Sequence, residues 1–299
     1  MSTIKPNNIK VIATDLDGTL FYPRKRFSMI GKDNRAFINR FTNDGGRLLL
    51  VSSRGRYFSE KVSRNLGMHL DSVGCNGAFI TSNDVTIKET FFNPALLKRI
   101  LTEMSRKWKL PLVILMSKHR NMVLTQTGVS RMTNIAYFLY EFFQGVYREP
   151  FIRSDKIFYE EIEKGEVYKI LIMMGALPNK ITLAREVNRQ CRIDYPEAEF
   201  SWVNQGIEVT PKGCSKGEGI EFYLDYNRIP RDNVIVVGDS GNDISMFEAF
   251  KNQSYCLEHG SSQVQKHASH IIRRFYDLEQ VVYPSEGTES ISKKEGKQE

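Results

Sequence analysis

Cysteine and tryptophan are scarce in this sequence, with four and two among 299 residues, and no two cysteines form a Cys-x-x-Cys pair. Cys75, Cys191, Cys214 and Cys256 stand far apart, which argues against a zinc site or a disulfide frame and for reduced thiols in a cytoplasmic protein. No apolar run approaches the roughly 18 residues of a membrane helix, so no membrane partner is expected. The opening MSTIKPNNIK lacks the apolar core that a signal peptide carries. His267 and His270, with His259 upstream, lack the His-Glu-x-x-His frame or cysteine partners of a metal pair and read as surface residues. No internal repeat is visible. Lysine and arginine outnumber the acids 42 to 35, for a net charge of +7. The basic residues fall in short, separate groups, Arg24-Lys25-Arg26, Arg273-Arg274 and Lys293-Lys294, without an RNA-binding aromatic motif. Nucleic acid is therefore not the expected partner; the charge reads as a solvated surface whose field attracts small anions, phosphates included.

What is present begins with an ordinary globular composition, 41% hydrophobic and 26% charged, long enough for one large core or two modest ones. Residues 10–14, 47–52 and 233–238 are short apolar runs without polar alternation, the pattern of strands buried on both faces of a parallel sheet. Residues 34–43 supply a helix stopped by Asp44-Gly45-Gly46, and residues 59–66 supply another closed by Gly67. This alternation sets the fold class as α/β, with a Rossmann-like parallel sheet. The middle of the chain changes character. Helices at 94–107, 129–144 and 179–190 alternate with strand-like runs at 112–116, 121–126, 169–174 and 199–203, as in an α+β unit with an open, largely antiparallel sheet. A helix at 216–226 precedes the return of the parallel pattern. The reading is a core built from 1–83 and 206–283, an inserted cap from 84–205, and a polar tail at 284–299 expected to be disordered. The aromatic run AYFLYEFF at 136–143 has helical spacing and is expected in the core of the cap. Cys75 is expected to be a small buried residue.

Two of the parallel strands end in aspartate. VIATDLDGTLF at 11–21 puts Asp15 at the carboxyl end of the first strand, with Asp17 just beyond; NVIVVGD at 233–239 puts Asp239 in the same place, Gly238 giving a tight exit. Ligands of open α/β sheets bind beyond these strand ends. If the two strands are neighbours, at least three carboxylates meet in one crevice, and such a cluster raises its own pKa values unless a cation compensates. Magnesium suits it, with oxygen ligands, one or two carboxylates, and water and a substrate phosphate completing the octahedron. A calcium EF-hand loop does not. Its glycine and terminal glutamate positions hold Leu20 and Arg26 counted from Asp15, and Ile244 and Phe250 counted from Asp239. Aspartates that merely cap helices would explain one such residue, but not Asp-x-Asp-Gly-Thr and Gly-Asp-x-x-Asn-Asp each behind an apolar strand.

DLDGTLF and VVGDSGNDISM, together with CNGAFI and VTPKGCSKGEGI, resemble the haloacid dehalogenase superfamily of phosphohydrolases. The size and place of the insertion resemble its Cof-type members, which carry a large α/β cap. The resemblance covers residues 9–77 and 205–282; in the cap only the layout matches. It implies Asp15 as a nucleophile that forms an aspartyl phosphate, and Asp17 as general acid and base. It also implies magnesium held by the Asp15 carboxylate, the Asp17 backbone carbonyl and Asp239, with Asn242 and Asp243 orienting them. Ser52 matches the hydroxyl that bonds the transferring phosphoryl group. The usual Thr-Gly-Arg reads Ser-Ser-Arg here, so Ser53 stays open as the alternative, and a helix-capping serine as the plainer one. Arg54 matches the arginine that follows, a candidate substrate contact. Lys216 matches the lysine that neutralises nucleophile and phosphate, with Lys212 as fallback. Asn76 and Gly77 match a signature at the edge of the site, where a simple turn reads equally well. Branches of the superfamily that dehalogenate, cleave phosphonates or pump ions lack a carboxylate at position 17. The resemblance thus implies hydrolysis of a small phosphorylated metabolite such as a sugar phosphate, with a phosphomutase or a non-catalytic phosphate- or nucleic-acid-binding protein as alternatives.

Overall fold

The first segment of the chain lays down β1 (Val11–Thr14), α1 (Lys32–Asn43), β2 (Arg47–Val51), α2 (Arg56–Leu66) and β3 (Asp71–Gly74), then doubles back through β4 (Phe79–Ser82) and β5 (Val85–Glu89). The inserted segment contributes α3 (Pro94–Lys107), β6 (Leu112–Ser117), β7 (Val123–Leu124), α4 (Arg131–Phe143), β8 (Ile152–Arg153), α5 (Asp155–Lys164), β9 (Val167–Met173), α6 (Lys180–Asp194), β10 (Ala198–Val203) and β11 (Gly206–Pro211). The last segment supplies α7 (Lys216–Tyr226), β12 (Val234–Gly238), α8 (Ile244–Ala249), β13 (Ser254–Leu257), α9 (Ser262–Gln265), β14 (His270–Ile272) and α10 (Leu278–Val282). This computed structural model describes residues 8–125, 131–175 and 179–284. The tail expected at 284–299 lies, but for Pro284, outside the described residues, as do Gln126 and Val129 at the edges of two expected elements.

The strands form two sheets. One runs β14-β13-β12-β1-β2-β3-β4-β5, parallel from β14 to β3 and antiparallel over the last two pairings. The other runs β10-β11-β9-β6-β7-β8, antiparallel apart from β7 with β8. The apolar runs behave as strands covered on both faces. Alternate residues of β1 serve different cores: Ile12 packs with Phe37, Phe41, Phe58 and Leu50, whereas Val11 and Ala13 pack with Val236, Ile220, Tyr223 and Phe247. In the second sheet, one face is covered by side chains of α3, α5 and α6. Its other face, with Leu112, Ile114, Met116, Leu124 and Tyr168, lies against Cys75, Ala78 and Phe79 of the first. The α+β insertion is therefore seated directly over one edge of the parallel sheet.

By hydrogen-bonded pairing, β5 completes the first sheet and β11 belongs to the second. One expectation needs correction. The aromatic run at 136–143 is not cap core: Tyr137 turns inward onto Phe151, while Phe138, Leu139, Tyr140, Phe142 and Phe143 are 47% to 65% exposed. Helical spacing says which residues share a face, not whether anything covers that face. Elements β3 to β5, β8, α5, β11, α8, β13, α9, β14 and α10 are not among the expected ones. The four cysteines are free and buried, and burial pushes the Cys75 thiol up to about 12. No helix among the described residues is long and apolar enough to cross a membrane.

Candidate active site

Strands β1 and β12 are neighbours, with Thr14 paired to Val237, so Asp15 and Asp239 leave the sheet side by side. Carboxylate oxygens of Asp15, Asp239 and Asp243 all lie within 4.8 Å of one another. The local sequence makes that approach possible. Gly18 turns the chain at φ +83°, and a Cβ there would stand 2.4 Å from Asp239 Oδ2. The Thr19 hydroxyl donates to Asp239 Oδ1 at 2.7 Å. The Gly-Thr half of the first motif therefore shapes the seat of the second.

Lys216 opens α7, whose N-terminus is capped by the Ser215 hydroxyl accepting from the Glu218 N–H at 3.2 Å. Its ammonium is fully buried and donates to Asp15 Oδ1 and Asp243 Oδ1, each at 2.6 Å. Asp243 Oδ2 accepts from the backbone N–H groups of Asp239 and Ser240, at 2.9 and 2.8 Å. Both oxygens of Asp243 are thus engaged, Asp15 is held through Oδ1 alone by Lys216, and Asp239 faces Thr19 and His259. The fallback Lys212 lies on the surface, paired with Glu199.

Charge in this cluster is unbalanced: among the described residues three carboxylates gather and Lys216 pairs with two of them. Burial raises Asp15 well above the usual carboxylate range; Lys216 opposes the rise, and Asp243 and Asp239 add to it. Burial likewise raises Asp239, against the hydrogen bonds of His259 and Thr19. Burial also works against the Lys216 charge, but Asp15 and Asp243 outweigh it and its pKa rises. An all-oxygen donor set with two surplus negative charges fits a hard divalent cation such as magnesium.

The other expected residues lie on the loops that follow β1, β2 and β3. Ser52, 2% exposed, follows β2 directly and accepts from the Arg54 N–H at 3.1 Å, whereas the Ser53 carbonyl faces the insertion and accepts from Lys169 at 2.6 Å. Asn76 sits at φ 54°, its N–H donating to the Ser52 carbonyl. A Cβ on the next residue, Gly77, would meet the Ser215 carbonyl at 2.5 Å, so the signature locks this turn against α7. Asp17 is half exposed and held by a forked Arg54 guanidinium, Nε to Oδ2 at 2.6 Å and Nη2 to Oδ1 at 2.9 Å. Burial pushes the Asp17 carboxyl up, but Arg54 outweighs it and the acid stays below its ordinary range.

Sequence reading missed several participants. Glu208 of β11 and Lys169 of β9, each 1% exposed at the side chain, form a buried ion pair at 2.6 Å. Glu208 also accepts from Asn76 Nδ2 and Asn242 Nδ2, both at 2.8 Å, and so ties the insertion to two loops of the site. Their signal was available: a lysine inside VYKILIM and a glutamate inside GIEVTP are charges in otherwise apolar strands. His259, read as surface, stacks on Tyr22 with centroids 3.9 Å apart and brings Nε2 to 3.6 Å from Asp239 Oδ2. His267 and His270 point elsewhere, to Glu248 and Tyr255.

A family model described as haloacid dehalogenase-like hydrolase matches residues 12–281. The pyridoxal phosphate phosphatase YbhA of Escherichia coli K12 is 24% identical over 241 residues, 80% of this chain and 85% of that protein. The 5-amino-6-(5-phospho-D-ribitylamino)uracil phosphatase YwtE of Bacillus subtilis 168 is 24% identical over 263 residues, again 80% and 85%. Among solved structures, a HAD/COF-like hydrolase from Plasmodium vivax superposes with a TM-score of 0.73 at 20% identity, covering 93% of this chain and 97% of that one. A HAD subclass IIB sugar phosphatase gives 0.69 at 19% identity, covering 90% and 95%. At these identities the structural likeness speaks for the fold.

Proposed function

The chain belongs to the haloacid dehalogenase-like hydrolases and is one of their phosphatases, and from that premise we propose that it is a magnesium-dependent enzyme that hydrolyses a small phosphorylated metabolite through an aspartyl phosphate on Asp15. The observation that carries the reading is the gathering of the Asp15, Asp239 and Asp243 carboxylates beyond the adjoining ends of β1 and β12, with the buried Lys216 bonded to Asp15 and Asp243. The Asp15 and Asp239 carboxylates, with the Asp17 backbone carbonyl that the family uses, would hold the cation. When bound, magnesium neutralises phosphoryl charge and lowers the repulsion between phosphate and nucleophile.

The side chains then divide the work. Asp15 attacks phosphorus; a P–O bond to its carboxylate forms as the bond to the leaving oxygen breaks. Asp17, which Arg54 holds ionised in this structure, must first take up a proton; it then gives that proton to the leaving oxygen and afterwards takes one from the water that attacks the aspartyl phosphate and frees inorganic phosphate. Lys216 holds Asp15 in line and shares the charge of the phosphoryl oxygens. The Ser52 hydroxyl bonds the transferring group. The second sheet, seated over the loops of Ser53, Asn76 and Asn242, shields the crevice from water and offers the surface that selects the rest of the substrate. Relatives named as phosphatases favour hydrolysis over internal phosphoryl transfer.

The test is direct. Asp15→Asn, folded by circular dichroism, should release no p-nitrophenolate from p-nitrophenyl phosphate with magnesium, and EDTA should silence the wild type. Activity retained in the variant would remove Asp15 as nucleophile.

A further inference from the structure

Residues 144–149 belong to the insertion by position, between α4 and β8, yet their partners are in the parallel-sheet core. The Tyr147 ring, 2% exposed, sits among Phe21, Met29, Ile30 and Phe58, with its centroid 5.3 Å from that of Phe21. Its hydroxyl lies 3.2 and 3.3 Å from the Ser28 and Met29 carbonyls. Arg24 stacks on the same ring and donates to the Gln144 side chain, while Lys61 donates to the Arg148 carbonyl at 2.9 Å. This is a strap: an apolar plug with polar stays on either side, reaching from the insertion down onto the core.

The strap ends in a buried carboxylate that touches the chemistry at one remove. Glu149, 3% exposed, accepts from Arg54 Nη1 at 2.5 Å and from Asn121 Nδ2 at 2.8 Å. The same Arg54 nitrogen reaches the Tyr147 carbonyl at 3.2 Å, and the guanidinium lies 3.9 Å from the Phe58 ring centre. Its remaining donors form the fork on Asp17. The plane and position of Arg54 are thus dictated on one side by the strap and passed to Asp17 on the other. Without Glu149 the guanidinium would keep Asp17, the Tyr147 carbonyl and the Phe58 ring but lose its buried counter-charge on the strap side.

We propose that Glu149 is a positioning residue that acts through Arg54 on Asp17, and that Tyr147 is the plug whose docking delivers it. Proton donation to the leaving oxygen is thereby coupled to seating of the insertion on the core. The proposal rests on the phosphatase reading, with Asp17 as the acid. A purely structural strap would alter stability without regard to the leaving group; this one discriminates.

The experiment compares p-nitrophenyl phosphate, whose leaving group needs no proton, with phenyl phosphate, whose leaving group benefits from one. In Glu149→Gln, kcat for phenyl phosphate should fall about tenfold or more with KM within about threefold, and p-nitrophenyl phosphate should change by less than about threefold. Glu149→Asp should recover part of the loss. Independently of activity, Tyr147→Ala should speed hydrogen exchange of the backbone amides at 145–149, and Tyr147→Phe should speed it far less. An equal loss with both esters, no loss, or unchanged exchange in Tyr147→Ala would overturn the proposal. Wild-type protein inactive on both esters would instead overturn the reading beneath it, and the exchange result would still report whether the strap docks.

Discussion

Lys216 is the residue on which the site's electrostatics turn, since it is the cation set between Asp15 and Asp243. Replacing it with methionine leaves buried carboxylates uncompensated, a change that costs about 3–5 kcal/mol in comparable pairs. We expect Lys216→Met to lose that much in urea unfolding and to lower turnover of p-nitrophenyl phosphate about 100-fold or more. Because a ligand that binds the folded state stabilises it, magnesium should raise the melting temperature of this variant more than that of wild type. Gly18→Ala tests a different kind of dependence. The new Cβ would fall on Asp239 and the backbone holds φ +83°, so strain of about 1–2 kcal/mol accompanies displacement of Asp239. Titration with magnesium during turnover should show weaker apparent affinity than wild type.

Elements place these residues, and their ends matter more than their lengths. Helix α7 starts at Lys216 because Ser215 caps it. Ser215→Ala should cost about 1 kcal/mol in thermal or urea unfolding and reduce kcat, since the first turn that holds the lysine loosens. At this scale the sequence was readable wherever one signal dominated. Residues 94–107 and 216–226 were expected as helices and are α3 and α7; Asn93 caps the first, accepting from the Ala95 and Leu96 N–H groups ahead of the apolar positions. It was unreadable where signals were mixed. β3 is Asp-Ser-Val-Gly, a strand by virtue of its neighbours β2 and β4, not its propensity. The aromatic stripe of α4 shows the converse, a strong pattern that the fold leaves facing outward.

For the molecule as a whole, Lys169 and Glu208 pair within the second sheet, and their bonds to the Ser53 carbonyl, Asn76 and Asn242 tie that sheet to the first and make the union sensitive to acid. Burial would push Glu208 up, but Lys169 with the amides of Asn76 and Asn242 outweighs it and holds the carboxyl at about 2. A carboxyl depressed on folding contributes stability that is complete above its unfolded value of about 4.3 and is lost as pH falls through the folded value. The contribution is on the order of 3 kcal/mol. Urea midpoints should therefore drop from about pH 5 down to about pH 2, and Glu208→Gln should flatten this part of the profile. A wild-type profile no steeper than that of the variant would deny the pair its coupling role.

The sequence by itself determined the fold class and the acids of the site, because apolar runs without alternation require a two-faced sheet and paired aspartates at strand ends require a compensating charge. Asp15 and Asp239 stood out for that reason, Asp243 and Lys216 were implied by the resemblance of their motifs, and the fold brings the four side chains together. The tertiary structure alone decided what joins distant segments: that Asp17 rests on Arg54, that Arg54 rests on Glu149, that Glu208 gathers Asn76 and Asn242, and that His259 stands beside Asp239. Local motifs record spacing along the chain. A contact between residues 34 to 132 positions apart, such as those of Glu208 with Asn242 and Asn76, follows from which sheet edge meets which loop, and no short motif holds that.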